Sequence, residues 1–180
     1  MNAFAQPVVT GTPDLLARAQ SGEREAFTEL VQRHHDELVR ISFAITGDLD
    51  AARDAAQLAW IKAWQKLGSV REPERLRTWL IAIAANEARQ QIRSSKRRRV
   101  REIAPVVAHS SDSASGTVDH LDLSAALSRL DADDRRLLAL RYLAGMTAEE
   151  IGPAIGLSGS GVRTRLSRLV AQLREELSND

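Results

Sequence analysis

The sequence predicts an all-α protein of two small helical domains joined by a flexible linker, the second domain containing a helix-turn-helix. Three observations lead there. Apolar residues recur at three- and four-residue spacing through most of the chain, and strand-type alternation is scarce. The strong helix formers Ala, Leu, Arg, Glu and Gln are plentiful. Residues 108–117 (AHSSDSASGT) are small, polar and unpatterned, and they divide two periodic halves. The expected boundaries are a tail at 1–13, a first domain at 14–99, a linker at 100–119 and a second domain at 120–180.

In the first half, Thr12 can cap a short helix that has Pro13 at its first position and Asp14 at the positive end of its dipole; Ser21 and Gly22 interrupt it. Ala26, Phe27, Leu30, Val31, Leu38, Ile41 and Ile45 then keep helical spacing up to Gly47, a natural C-terminal stop. His34 and His35 fall inside this helix, but no further ligands stand at metal-binding spacing, so they read as ordinary helix residues. Asp48 caps the next helix, which runs to about Leu67 with a seam of Ala52, Ala55, Ala56, Ala59 and Ala63. Trp60 and Trp64, one turn apart, read as core. Residues 69–78 form a polar connection limited by Pro73, placed beside the start of the next helix, where a nucleic acid could be held.

That next helix begins near Trp79, starts apolar and ends as a run of cations. At roughly 100° per residue, Leu80, Ile81, Ala84, Ala85, Ala88 and Ile92 gather on one side, and Asn86, Arg89, Gln90, Arg93 and Arg97 on the other. Arg89 to Arg101 holds seven basic residues and no acidic one, with amides among them that can bond base edges as well as phosphates. Taken alone, the run is equally a solvated face or a polyanion-binding face.

In the second half, Leu121, Leu123, Ala126, Leu127 and Leu130 mark a short helix. Asp131 caps another, whose Leu137, Leu138, Leu140 and Leu143 are expected inside and which Gly145 ends. Thr147 to Glu150 is a capping-box pattern opening a helix through Ile151 and Ile155. Gly156 turns the chain, Leu157 is expected to plug the corner, and Ser158 caps a last helix with Val162, Leu166, Leu169, Leu173 and Leu177 inward. This is helix-turn-helix spacing, with Ser160, Arg163, Thr164, Ser167 and Arg168 on the outer face. Short hydroxyls can approach bases or phosphates, and the arginines can grip guanine edges.

Composition bounds the rest. With 25 Lys+Arg against 24 Asp+Glu, only the distribution of charge can point to a partner. No cysteine is present, which excludes disulfides and fits a reducing cytoplasm. No apolar run approaches a membrane span, and the N-terminus lacks the pattern of a signal peptide. An enzyme acting on nucleic acid might recruit Asp54 or Glu87, but no paired carboxylates, activated nucleophile or metal cluster stands at convincing spacing; no catalytic residue, cofactor or metal is expected.

Both halves together resemble the extracytoplasmic-function (ECF) group of bacterial RNA polymerase sigma factors. The resemblance is carried by residues 22–27 (GEREAF), 52–57 (ARDAAQ), 60–64 (WIKAW) and 77–80 (RTWL), with Ile83, Ala84 and Asn86. In the second half it is carried by Leu130, residues 137–142 (LLALRY), Gly145 to Thr147, Glu150, Ile151, residues 155–158 (IGLS) and 162–168 (VRTRLSR). It implies that the first domain is sigma region 2, docking on the polymerase clamp through Asp54, Gln57, Leu58 and Lys62 and melting the minus-ten element. Asn86, Arg89, Gln90, Arg93 and Arg97 would then face the minus-ten DNA. The second domain would be region 4, whose Ser160, Arg163, Thr164, Ser167 and Arg168 enter the major groove at the minus-thirty-five element. An anti-sigma factor is a further implied partner.

The chain departs from the family pattern at six residues. Arg53 and Leu58 stand where acids are common, Gly152 and Pro153 replace a plainer helical pair, and Gly159 and Gly161 weaken the first turn of the recognition helix. The alternative reading is a stand-alone helix-turn-helix repressor or activator whose first domain dimerises or senses a ligand.

Overall fold

The computed structural model describes residues 11–101, 127 and 129–178, with the backbone alone for 96–101. The remaining tail, the expected linker from residue 102 on, the expected helix positions Leu121, Leu123 and Ala126, and the side chain of Arg97 lie outside the described residues. Every element among the described residues is helical.

Helix α1 (Thr12–Gln20) starts one residue earlier than expected: Gly11 is the N-cap and makes no side-chain bond, so Thr12 and Pro13 are the first helical residues. Helix α2 (Arg24–Thr46) ends on Gly47 in the left-handed conformation, whose N–H donates to the Phe43 carbonyl at 2.8 Å. Helix α3 (Leu49–Lys66) is capped by Asp48, which accepts from the Ala51 N–H at 2.7 Å. The connection after it holds two 3-10 turns, 67–69 and 73–75, and Gln20 pins the first by donating to the carbonyls of Leu67 and Val70 at 3.0 and 2.7 Å. Pro73 opens the second turn, so helix α4 (Leu76–Arg101) starts three residues before Trp79 and runs on to Arg101.

These four helices share a core of Leu15, Leu30, Leu38, Ile41, Ile45, Leu76, Leu80 and Ile81, each at most 1% exposed. The alanines of α3 and α4 let the helices close on one another: Ala55, Ala56, Ala63, Ala84, Ala85 and Ala88 are fully buried. The two tryptophans part company. Trp60 is buried and donates its indole N–H to His35 Nδ1 at 3.2 Å, whereas Trp64 is 43% exposed and rests edge-on against Phe27 at 4.8 Å between centroids.

In the second unit Leu127 and Arg129 are already helical ahead of helix α5 (Ala132–Leu138), which is capped by Asp131 through the Asp134 N–H at 2.7 Å and continues into a π turn over 139–143. Helix α6 (Ala148–Ile155) opens on the complete capping box of Thr147 and Glu150 and ends on left-handed Gly156. It runs without a break through Pro153. Helix α7 (Gly159–Ser178) is capped by Ser158, whose hydroxyl accepts from the Gly161 N–H at 3.1 Å. Three leucines expected inside are not: Leu143, Leu157 and Leu177 are 47%, 39% and 40% exposed. The π turn rotates Leu143 off the inner face that a regular α-helix would give it.

Gly152 is explained by the turn that follows. A Cβ there would stand 2.6 Å from the Leu157 carbonyl oxygen, and the Gly152 carbonyl accepts from the N–H groups of both Gly156 and Leu157. Only glycine lets the chain fold back so closely. Gly159 leaves room in the same way for the Glu149 carboxylate, 2.8 Å from where its Cβ would be. The buried residues of both units form one connected cluster, with α5 and its π turn lying on α2 and α4.

Candidate nucleic-acid interface

Helix α4 buries Leu80, Ile81, Ala84, Ala85 and Ala88, which turns Asn86, Arg89, Gln90 and Arg93 to the opposite side. Gln90 and Arg93 are exposed, but Asn86 and Arg89 are partly covered, and the second unit covers them. Arg89 donates to Asp133 through both Nε and Nη2, the latter reaching Oδ2 at 2.9 Å. Arg136, 4% exposed, donates to Asn86 Oδ1 at 2.5 Å and to the Ala154 carbonyl.

The electrostatics follow from these contacts. The hydrogen bond from Arg89 holds the Asp133 carboxyl below its ordinary range, and the same bond raises the Arg89 guanidinium. Burial, with the neighbouring Arg89 charge, pushes Arg136 down to about 10. Arg136 therefore stays a cation at neutral pH, and Asp133 lies between two positive charges. Farther along the seam, Arg77 donates to the Ala144 carbonyl at 3.0 Å and to Glu37 at 2.5 and 3.1 Å.

The connection before α4 faces α6 across an open cleft of about 660 Å³. Arg71 and Arg75 line one wall, Glu149 and Glu150 the other, and Trp79 lies between them. Glu72 shares the first wall and pairs with Arg75 at 2.6 Å, so that wall carries charges of both signs.

On α7 the outward residues Ser160, Arg163, Thr164, Ser167 and Arg168 are all exposed, and Val162, Leu166, Leu169 and Leu173 are buried beneath them. Glu149 accepts from Arg163 and is lowered chiefly by that bond. Thr164 donates back to the Ser160 carbonyl at 3.0 Å, so its hydroxyl is tied to its own helix.

Helix α3 carries a different surface. Asp54, Gln57, Leu58 and Ile61 lie on one exposed face, with Leu58 39% and Ile61 54% exposed. Ile61 was not anticipated from sequence, although its spacing of three and seven residues from Leu58 and Asp54 puts it on that face. Lys62, at the edge of this face, donates to Glu87 of α4 at 2.6 Å, and Glu87 is only 5% exposed. Among the described residues no cluster of three His, Cys, Asp or Glu could hold a metal ion, and no helix is long and apolar enough to cross a membrane.

The family model for sigma-70 region 2 matches residues 30–98, and that for sigma-70 region 4 matches residues 126–175. The chain is 33% identical over 171 residues to RfaY of Xanthomonas campestris pv. campestris, named a probable RNA polymerase sigma factor, covering 90% of this chain and 43% of that protein. Less than half of RfaY is therefore represented. It is 30% identical over 171 residues to the RNA polymerase sigma factor NccH of Alcaligenes xylosoxydans xylosoxydans, covering 88% of this chain and 90% of that one. Its fold is similar to that of the sigma factor RpoE of Bartonella quintana, solved with the anti-sigma factor NepR, with a TM-score of 0.68 at 27% identity over 86% of this chain and 98% of that chain.

Proposed function

This chain belongs to the ECF group of RNA polymerase sigma factors, and from that premise we propose that it binds core RNA polymerase, recognises a two-part promoter and assists its opening in the cytoplasm. Residues 14–99 act as region 2 and 120–180 as region 4. Region 4 lays α7 in the major groove of the minus-thirty-five element, with Arg163 and Arg168 at base edges or phosphates and Ser160, Thr164 and Ser167 in close approach. In region 2, Asn86, Arg89, Gln90, Arg93 and Arg97 meet the minus-ten strands, which stay separated only if unstacked bases are held away from the duplex. Unstacking costs a few kcal/mol per step, so the polymerase must contribute.

The observation that carries this reading is the α3 face. Leu58 and Ile61 are large apolar residues left in water beside Asp54 and Gln57, on the side of α3 away from its own core. A subunit that must dock on a larger machine needs such a face, whereas a stand-alone repressor would use it to pair with a second copy of itself, so the two readings part on whether the chain dimerises alone or joins the polymerase. An anti-sigma factor is the regulatory partner that the similarity to a sigma factor solved with NepR supports.

Run-off transcription on a genomic promoter library, with and without core polymerase, tests the proposal. The expected result is specific transcripts only when both proteins are present, with weak, salt-sensitive DNA binding by the chain alone. Tight binding to a palindrome without any specific transcript would establish the stand-alone regulator instead.

A further inference from the structure

We propose that Glu149, on the first helix of the helix-turn-helix, is a positioning residue for the recognition helix: it holds the Arg163 guanidinium so that one edge is presented to a single guanine of the minus-thirty-five element, and Gly159 gives the carboxylate the space to do so. The proposal rests on the reading that α7 lies in the major groove of that element.

The outward side chains of α7 are not held alike. Thr164 bonds back to the Ser160 carbonyl, and the Ser160 hydroxyl lies 3.0 Å from that of Ser158, so both are tied within α7 and its cap. Arg163 is tied from another helix: its Nη1 donates to Glu149 Oε1 on α6. Glu149 is itself fixed. It stands in the first turn of a helix whose start is set by the capping box of Thr147 and Glu150, and its carboxylate, held low chiefly by the bond from Arg163, is also bonded by its own backbone N–H. Gly159 completes the arrangement. A Cβ there would stand 2.8 Å from Glu149 Oε1 and 3.6 Å from Arg163 Nη1, so any other residue would push on the carboxylate where it meets the guanidinium. The glycine therefore has a task that offsets its cost to the first turn of α7.

A guanidinium carries its N–H donors in a fixed plane, and guanine presents O6 and N7 side by side in the major groove. With Nη1 taken by Glu149, the edge formed by Nε and Nη2 is left to meet those acceptors together. A long side chain held before it meets DNA has less freedom to lose on binding, so the base that fits the held edge gains over the others. The side chains of Arg163 and Glu149 are 61% and 68% exposed, so the pair adds little to stability and its effect falls on recognition.

Holoenzyme made from the full chain and core polymerase is bound to a promoter duplex randomised across the minus-thirty-five element, and sequencing before and after selection gives the base preference at each position. Arg163→Ala should lose about tenfold of the preference for guanine at one position, the scale of a single bidentate contact. Glu149→Gln should lose about threefold at that same position and keep its preferences elsewhere, the scale of an exposed ion pair. Gly159→Ala, which keeps the charge and displaces the carboxylate, should reproduce that loss, and Glu149→Gln with Gly159→Ala should lose no more than Glu149→Gln alone. A folding defect would weaken every position, so a loss confined to one position is not structural. If Arg163→Ala changes no position, α7 does not read this element, and the reading beneath the proposal falls with it. If Arg163→Ala weakens every position alike, Arg163 meets phosphates; the proposal is overturned while α7 keeps its place in the groove. If Arg163→Ala loses a guanine that Glu149→Gln keeps, if Glu149→Gln weakens all positions equally, or if Gly159→Ala behaves as the parent, Glu149 does not position the arginine, and the proposal is overturned with the base contact intact.

Discussion

Replacing Lys62 with methionine separates a structural brace from a polymerase contact. Lys62 donates to Glu87 at 2.6 Å; the Glu87 side chain is 6% exposed and that of Lys62 is 41% exposed. Breaking a wholly buried pair costs about 3–5 kcal/mol, because one charge is left without a partner, whereas exposed pairs are worth about 0–1 kcal/mol. This pair lies between those limits, so Lys62→Met should cost about 2 kcal/mol, with methionine keeping much of the packing of the lysine stem. For a chain of this size that is a fall in Tm of roughly 4–8 °C. Urea unfolding followed by circular dichroism measures the loss, and the double variant Lys62→Met with Glu87→Leu should recover most of it, since a well-packed apolar pair replaces a buried ionic one at little cost. The affinity of the folded variant for core polymerase should stay within about twofold of the parent, well under 1.4 kcal/mol. A loss below about 0.5 kcal/mol, together with a tenfold weaker polymerase complex, would refute the argument and make Lys62 a docking residue.

Gly152→Ala should destabilise the second unit by about 2–3 kcal/mol in the same assay, because its Cβ meets the Leu157 carbonyl oxygen at 2.6 Å and both belong to the turn. In footprinting with holoenzyme, Arg163→Ala and Arg168→Ala should weaken upstream protection, whereas Asn86→Ala and Arg89→Ala should chiefly reduce permanganate reactivity of the melted strands; identical defects in all four variants would contradict the division of labour. Burial lowers the His34 pKa from its ordinary 6.5. A lowered folded-state value means that the unfolded chain takes up the proton first, so stability is full above pH 6.5 and declines as pH falls below it towards the folded-state value. Unfolding midpoints between pH 7.5 and 5 should fall in the parent and flatten in His34→Gln, about the range over which an ordinary histidine titrates.

Much of this molecule is local, and what is local can be read along the chain. The caps at Asp48, Asp131, Thr147 and Ser158 each close a bond within three residues, the stops at Gly47 and Gly156 need only a left-handed backbone, and the buried stripe of α4 follows from helical spacing. The outward face of α7 is legible for the same reason. Other features depend on distant neighbours. Leu143 and Leu157 have apolar character and acceptable spacing, yet a π turn and a tight corner leave them in water. Gly152 looks like a flaw in a helix until the Leu157 carbonyl is seen against it.

The charged groups show the division most clearly. Sequence alone determined that Asn86 and Arg89 lie on a polar helix face beside a run of cations. Only the tertiary structure decided that Arg89 meets Asp133, 44 residues away, and that Asn86 meets Arg136, 50 residues away. The reason is physical. A helix sets the direction in which a side chain points through bonds that span four residues, but the partner it finds there depends on how the two helical units come to rest on each other, and no periodicity within either unit carries that information.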